Sequence, residues 1–238
     1  MQVILTRSEE DSRASMGLLA QRGYEVLLAP MLREEPIAAQ VGTAADFGAI
    51  AFTSKRAPRA LLRAVPRAVA EGLMGLPVFA VGAKTASAVR RSGFDNVSVA
   101  AGTVADLADL IVSHPFDGGV LYAAARERSG DLAGDLKSRG ISCELRVVYH
   151  MQQVYELPKL VLKEIAEDRA AAALFYSKRT AEAFVEACTL ENVQTELKHI
   201  TALCISTQVA DVCCAFGEVR IAKRPDEHHL LDLLATCS

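Results

Sequence analysis

Two similar pentapeptides carry the side chains of this sequence that are best suited to chemistry. The first runs from Phe52 to Arg56 (FTSKR), and the second runs from Phe175 to Arg179 (FYSKR). Each follows an apolar run and precedes an amphipathic helical pattern, which predicts a buried strand, a serine at its carboxyl end and a helix directly behind it. In open α/β sheets, ligands bind at that end of the strands. Two such ends predict two similar units that face one ligand.

Residues that can bind anions follow the other predicted strands in the same way. They are Thr6, Arg7, Gly82, Thr85, Arg126, Arg128, Thr207 and Gln208, in addition to Thr53, Ser54, Lys55, Ser177 and Lys178 in the two pentapeptides. The N-terminus of a helix stabilises an anion by about 0.3–1 kcal/mol, so a tightly held anionic ligand needs many such contacts. For any single residue, the alternative of a helix cap or a solvated charge stays open. The coincidence of the whole set at strand ends favours a binding role.

Composition and charge exclude several classes of protein. The net charge is −3, only 5% of the residues are aromatic and Trp is absent, which argues against nucleic-acid binding. The N-terminal apolar run is too short for a signal peptide and no run is long enough to span a membrane, so we expect a cytoplasmic protein. The six cysteines form no CxxC pair and His228 and His229 are adjacent, so we expect structural thiols and neither a metal nor another cofactor.

The second half of the sequence repeats the first. The apolar run from Val120 to Tyr122 corresponds to the run from Val3 to Leu5. A predicted helix that begins at Arg126-Glu127-Arg128 ends at Gly140, as an earlier helix ends at Gly23. Because the offset between the copies stays within a few residues, we infer a duplicated α/β unit with parallel sheets and right-handed crossovers.

Polar stretches and glycines mark the connections of this repeat. Residues 31–46 and residues 150–158 are predicted to be crossings or linkers. Gly82 predicts a tight turn in which the backbone comes close to another group, and Gly217 takes the place that Gly93 has in the first copy. This spacing alone is compatible with two consecutive domains.

A family resemblance rests on several short segments taken together. The segments are Leu5-Thr6-Arg7, Gly23-Tyr24-Glu25-Val26 with Pro30, Phe52-Thr53-Ser54, Ala80-Val81-Gly82 with Thr85-Ala86, Val147-Val148-Tyr149 and Phe175-Tyr176-Ser177. In this order and at this spacing, the chain resembles the uroporphyrinogen-III synthase family over essentially its full length. One turn departs from the family pattern: Gln208 and Val209 stand where the family usually has a glycine and a threonine. A threonine role therefore does not transfer simply to this turn.

The resemblance implies a topology that the repeat alone does not give. It implies an α/β fold with two flavodoxin-like domains that have parallel sheets and are joined by a two-stranded connector. Residues 1–34 and 155–238 would form one discontinuous domain, and residues 35–154 would form the other. Equivalent segments are then exchanged between the two repeats.

The resemblance also implies a reaction. The family closes the linear tetrapyrrole hydroxymethylbilane to uroporphyrinogen III, with loss of water and inversion of ring D, in heme biosynthesis. Tyr149 is the residue that the resemblance implies as the catalytic proton or hydrogen-bond donor to the leaving hydroxyl, and a strand-end tyrosine with a solvated hydroxyl is the alternative. The expected partner is this small-molecule substrate, without nucleic acid or membrane. We expect a monomer that at most contacts the preceding pathway enzyme transiently.

Two other functions compete with this interpretation of the sequence. A non-catalytic, two-lobed small-molecule binding or regulatory module would also hold a ligand between paired α/β lobes, but it would need no proton donor. A nucleotide-binding α/β protein is the third candidate. It ranks below the others because neither GxGxxG nor GxxxxGK[ST] follows a strand in this sequence.

Overall fold

The computed structural model describes residues 1–237 as a mixed α/β protein. Its strands are β1 (Gln2–Leu5), β2 (Glu25–Leu28), β3 (Leu32–Pro36), β4 (Phe47–Phe52), β5 (Val78–Val81), β6 (Val97–Ala100), β7 (Gly119–Ala125), β8 (Cys143–Gln153), β9 (Ala170–Phe175), β10 (Thr201–Cys204) and β11 (Glu218–Ile221). Its helices are α1 (Glu9–Gln21), α2 (Ala57–Ala64), α3 (Arg67–Met74), α4 (Gly82–Arg91), α5 (Val104–Val112), α6 (Leu132–Ser138), α7 (Lys159–Ala166), α8 (Lys178–Leu190), α9 (Thr207–Ala210) and α10 (Glu227–Asp232). Short 3₁₀ turns lie at Ala44–Asp46, Gln194–His199 and Leu233–Thr236.

The strands form two sheets, which have the same order when the additional edge strand β3 of the second sheet is left out. One sheet runs β11-β10-β9-β1-β2, and the other runs β3-β8-β7-β4-β5-β6. The pairs β1–β2, β1–β9, β9–β10 and β10–β11 are parallel, as are β4–β5, β4–β7, β5–β6 and β7–β8. The prediction of an α/β fold with parallel sheets is therefore confirmed.

The register between strands relates the two halves of the repeat residue by residue. Leu5 lies opposite Leu174 in the first sheet, and Tyr122 lies opposite Ala51 in the second. Leu174 and Ala51 both stand one residue before the pentapeptides, so Leu5 and Tyr122 occupy equivalent positions. This is the correspondence between the Val3–Leu5 and Val120–Tyr122 runs that the sequence predicted.

The strands that precede the pentapeptides are apolar along their length because both faces of each sheet are covered. In the first sheet, Ala173 and Phe175 of β9 pack into one buried cluster, and Ala172 and Leu174 pack into another. Adjacent residues of a strand point to opposite faces, so continuous apolar runs are what a sheet covered on both sides requires. The second sheet has two clusters of the same kind.

Contacts divide the chain into two compact units. The first unit comprises Met1–Arg33 and the chain from Gln152 onward, and the second comprises Glu34–Met151. Within residues 1–237, no helix is both long and apolar enough to cross a membrane.

Several local expectations differ from the structure. Helix α6 begins at Leu132 with Asp131 as its N-cap, not at Arg126, because the Asp131 carboxylate accepts the Gly134 N–H at 3.0 Å. The polar stretch 31–46 contains strand β3, and strand β8 continues into the second expected linker as far as Gln153.

Gly217 is needed for a different reason than Gly93. Gly93 follows helix α4 with φ +96°, the left-handed conformation that glycine adopts at a helix end. Gly217 has no positive φ, but a Cβ at this position would lie 1.9 Å from the Lys198 carbonyl oxygen. The backbone of the 3₁₀ turn therefore passes directly over Gly217.

Replacing Gly217 with alanine is expected to destabilise the first unit by about 1–3 kcal/mol, because a backbone carbonyl cannot move aside as a side chain can. Gly17→Ala is the matched control in the same unit. Gly17 lies in the interior of α1 and an added Cβ would meet nothing within 4 Å, so alanine there should stabilise by about 0.5–1 kcal/mol. Thermal unfolding followed by circular dichroism would show opposite shifts, and equal midpoints for the two variants would contradict the steric explanation.

Candidate functional site

Ser54 and Tyr149 form a hydrogen-bonded pair near the carboxyl end of β4. Ser54 Oγ and Tyr149 OH lie 2.7 Å apart, although the residues are far apart in sequence. The Ser54 hydroxyl also accepts the Arg56 backbone N–H at 3.2 Å. When the Ser54 hydroxyl donates its proton to the phenol oxygen, the phenolic proton is available to a ligand.

The environment of Tyr149 keeps its phenol neutral. Burial is the largest cause that raises the pKa of Tyr149 above its usual value, and the charges of Glu34 and Glu127 raise it further. The Ser54 hydrogen bond and the charge of Arg56 act in the opposite direction without reversing the shift. A phenol with a raised pKa retains its proton at neutral pH, so Tyr149 is a hydrogen-bond donor without charge.

Thr53 is held by a second tyrosine. Its Oγ1 lies 2.9 Å from the hydroxyl of Tyr122, a residue that is 1% exposed. Burial is the main cause that raises the pKa of Tyr122. The Thr53–Tyr122 and Ser54–Tyr149 pairs therefore fix two consecutive residues of the pentapeptide from two neighbouring strands, β7 and β8.

A cavity of about 730 Å³ lies against these residues, entirely within the second unit. The ends of β4, β5 and β7, the start of α5 and the loop after β7 line it, and Thr53, Ser54 and Tyr149 are among the lining residues. This volume lies within the roughly 300–1,000 Å³ that is typical of sites for small molecules. The sequence-predicted residues Thr53, Ser54, Arg128 and Tyr149 are thus brought together around one cavity.

The start of α5 lines the same cavity and was not among the residues chosen from the sequence. Thr103 accepts the Asp106 N–H at 3.1 Å, and the Asp106 carboxylate accepts the Thr103 N–H at 2.9 Å. The pattern Thr-x-x-Asp before an apolar run is the sequence signature of this capping box. It could have located the helix start, and with it the Gly102–Val104 contribution to the cavity.

The loop after β7 brings both signs of charge to the cavity. Glu127 and Arg128 line it, together with Ser129 and Gly130. The Glu127 carboxylate accepts the Met151 N–H at 3.2 Å, which holds the loop against β8. Arg126 is exposed and its backbone N–H bonds to the Tyr149 carbonyl at 3.0 Å, but its side chain is not part of the cavity lining.

Three other predicted residues of this unit stand apart from the cavity lining. Lys55 is half-buried, and Thr85 is buried on the inner face of α4. Gly82 has φ +70°, and a side chain there would meet nothing within 4 Å of its Cβ. The sequence predicted that another group approaches the backbone at Gly82, but none of the described residues does so. The left-handed backbone conformation explains the glycine at this position.

In the first unit, Ser177 has the capping role that was the alternative for it. Its side chain accepts the Thr180 N–H at 3.2 Å at the start of α8. Lys178 is exposed and its Nζ lies 3.6 Å from a Glu182 carboxylate oxygen. Thr207 and Gln208 are exposed in the first turn of the short helix α9.

Thr6 and Arg7 follow β1 and differ in accessibility. Thr6 is fully buried, and its hydroxyl donates to the Leu174 carbonyl at 2.7 Å. This bond joins β1 to β9 and leaves the hydroxyl engaged inside the protein. The Arg7 guanidinium is partly exposed and pairs with Glu227 at 2.8 Å.

Residues 1–237 contain no group of three His, Cys, Asp or Glu side chains that could hold a metal ion. Burial raises the pKa of the Cys188 thiol to about 12, so this group stays protonated. Cys204 and Cys213 are both buried with their sulfur atoms 3.7 Å apart. The cysteines at these positions pack as small apolar residues.

Comparisons with solved structures find proteins of similar fold. The chain is similar to the uroporphyrinogen-III synthetase from Helicobacter pylori, with 21% identity, a TM-score of 0.66 and coverage of 100% of this chain and 99% of that one. It is also similar to a mutant uroporphyrinogen III synthase from the extremely thermophilic bacterium Thermus thermophilus, with 19% identity, a TM-score of 0.52 and coverage of 100% and 98%. None of the curated proteins matches the chain.

A family model establishes the relationship. The model described as uroporphyrinogen-III synthase HemD matches residues 14–232, which is most of the sequence. The match includes both pentapeptides, Tyr149 and every residue that lines the cavity. It confirms the resemblance found in the sequence, and this chain belongs to the uroporphyrinogen-III synthase family.

Proposed function

We propose that this protein closes hydroxymethylbilane to uroporphyrinogen III with loss of water and inversion of ring D, and that the hydroxyl group leaves in the cavity beside Ser54 and Tyr149. Family membership carries the reaction: members are cyclising lyases of tetrapyrrole biosynthesis that act on a small molecule. The single observation that supports the site is the 2.7 Å hydrogen bond between Ser54 and Tyr149 at the wall of a cavity of suitable size.

The neutral phenol of Tyr149 suits the bond that must break. The leaving oxygen departs as water when it takes a proton, and Tyr149 is the donor that we assign to it. The phenol regains a proton when the attacking pyrrole ring loses one during ring closure. Ser54 acts on the phenol oxygen and so aims the donor without adding charge.

The carboxylates of the substrate need hydrogen-bond donors other than Tyr149, which we assign to the leaving hydroxyl. We propose Thr53, Lys55, Gly82, Thr85, Arg126 and Arg128 in the second unit, and Thr6, Arg7, Ser177, Lys178, Thr207 and Gln208 in the first, as the substrate-binding set. Arg128 has the best support because it lines the cavity and is exposed. The buried Thr6 hydroxyl bonds to Leu174, so we assign it the indirect role of fixing the backbone from which Arg7 projects.

We also propose the domain organisation that the family resemblance implied. Residues 1–34 with 155–238 and residues 35–154 would form two flavodoxin-like domains, joined by a connector made of β3 and β8. The order β2-β1-β9-β10-β11, which is 2-1-3-4-5 within its unit, supports the flavodoxin-like assignment. The pairing of β3 with β8 and the limits of the two compact units support the connector.

The reaction itself is tested by product isomers. Hydroxymethylbilane incubated with the purified protein should give predominantly the type III porphyrin after oxidation, whereas the same substrate alone gives the type I isomer. Separation of the isomers by liquid chromatography makes the measurement. Type I product in both tubes would overturn the proposed function.

Tyr149→Phe is expected to lower kcat by about 100-fold, at the low end of general acid catalysis, because the hydroxyl leaves readily from an electron-rich pyrrole. KM should change little. Tyr155→Phe is the control, since Tyr155 is 38% exposed, belongs to the first unit and is not among the residues that line the cavity. A Tyr149→Phe enzyme with the kinetics of the wild type would remove Tyr149 from the mechanism.

Ser54→Ala is expected to lower kcat roughly 5-fold, the effect of one neutral hydrogen bond. If Ser54 acts through the phenol, the double variant with Tyr149→Phe should be no slower than Tyr149→Phe alone. Ser138→Ala, an exposed serine at the end of α6, serves as the control. Additive losses in the double variant would show that Ser54 acts independently of Tyr149.

A further inference from the structure

We propose that Arg7 binds one carboxylate of the substrate through the Nε–Nη2 edge of its guanidinium, and that Glu227, Ser15 and Tyr176 position this arginine. The inference rests on the proposed function, because the substrate carries an acetate and a propionate on each ring. All four residues belong to the first unit, at the carboxyl ends of β1 and β9 and on helices α1 and α10.

One nitrogen of Arg7 is bonded inside the protein. Its Nη1 donates to Ser15 Oγ at 3.1 Å and to Glu227 Oε1 at 2.8 Å. The Ser15 hydroxyl also donates to the same Glu227 oxygen, so the two acceptors lie side by side and hold Nη1 from one direction. The guanidinium can no longer rotate about its bonds without losing both partners.

Glu227 is itself held in place. Its Oε1 accepts the Tyr176 hydroxyl at 3.1 Å and also accepts the Ser15 hydroxyl, in addition to the bond from Arg7. Three donors, from the segments after β1 and β9 and from α1, therefore converge on a single carboxylate oxygen. A solvent-exposed ion pair has fewer hydrogen bonds to hold its carboxylate. The additional bonds here fix the position of Glu227, and Glu227 in turn fixes Arg7.

Tyr176 contacts the guanidinium as well. The Arg7 Cζ lies 4.2 Å from the centroid of the Tyr176 ring, within the range of a cation–π contact. Tyr176 stands directly before Ser177 in the second pentapeptide, and β9, which precedes it, pairs with β1. The arginine is thus stacked at the edge of the sheet where α/β proteins bind ligands.

The opposite edge of the guanidinium is available. Among residues 1–237, no hydrogen bond is made by Nε or Nη2 of Arg7, and the side chain is 25% exposed. Nε and Nη2 point in parallel, and arginine binds a carboxylate through two such parallel N–H donors. An arginine held by one edge and stacked on a ring presents the other edge with little loss of entropy on binding.

Four variants test this assignment by their KM for hydroxymethylbilane. Arg7→Lys removes the fork, and Glu227→Ala removes the anchor, so each should raise KM by about 10-fold with kcat within about twofold of the wild type. Glu227→Gln keeps an oxygen that accepts from Arg7, Ser15 and Tyr176, so KM should stay within about twofold of the wild type. Asp232→Ala is the matched control, because it removes an ion pair to Arg22 that also joins α10 to the end of α1.

The outcomes separate the carboxylate site from a structural ion pair. Thermal midpoints that fall equally in Glu227→Ala and Asp232→Ala, with KM raised only in Glu227→Ala, would support the site. Unchanged KM in both Arg7→Lys and Glu227→Ala would overturn it while the wild type remains active. A wild type that yields only type I product would overturn the proposed function first.

Discussion

The parallel pairing of β1 with β9 and of β7 with β4 determines where the residues after these strand ends lie in each unit. Leu5 lies opposite Leu174, so the residues that follow these two strands emerge side by side and Arg7 stacks on Tyr176. Tyr122 lies opposite Ala51, so its hydroxyl reaches Thr53 two residues farther along the chain. A shift of one residue in either register would turn these side chains to the opposite face of the sheet.

The two halves share this frame and differ in how far each strand continues. Strand β1 ends at Leu5, and the basic residue Arg7 follows it and lies beside Tyr176. In contrast, β7 continues to Ala125 in apolar residues. Helix α8 begins directly after Ser177, which uses its hydroxyl in the cap, but α2 begins only at Ala57. The Ser54 hydroxyl is therefore left for Tyr149, and equivalent serines of the two repeats have different hydrogen-bond partners because the helices behind them start at different distances.

The sequence predicted the α/β class and the strand ends, because apolar runs followed by helical patterns are local signals. It could not pair Ser54 with Tyr149 or Arg7 with Glu227, since both bonds join residues that only the sheet topology brings together. Residue type also cannot tell where a hydroxyl points. Thr6 was chosen as a ligand-binding residue, yet its side chain is buried and bonded to a carbonyl.

The arrangement of charge follows from the substrate that the family uses. A polyanion needs cations at its carboxylates, but a charged acid where the C–O bond breaks would draw a carboxylate to the wrong place. In the proposed mechanism, a phenol with a raised pKa avoids this conflict, because it carries no charge until it gives its proton to the leaving oxygen. In the proposed carboxylate site, Glu227 balances much of the charge of Arg7, so the direction of the guanidinium edge matters more than net charge for the carboxylate that it binds. In the proposed mechanism, neutral donors thus act where bonds change, and anchored cations hold the carboxylates.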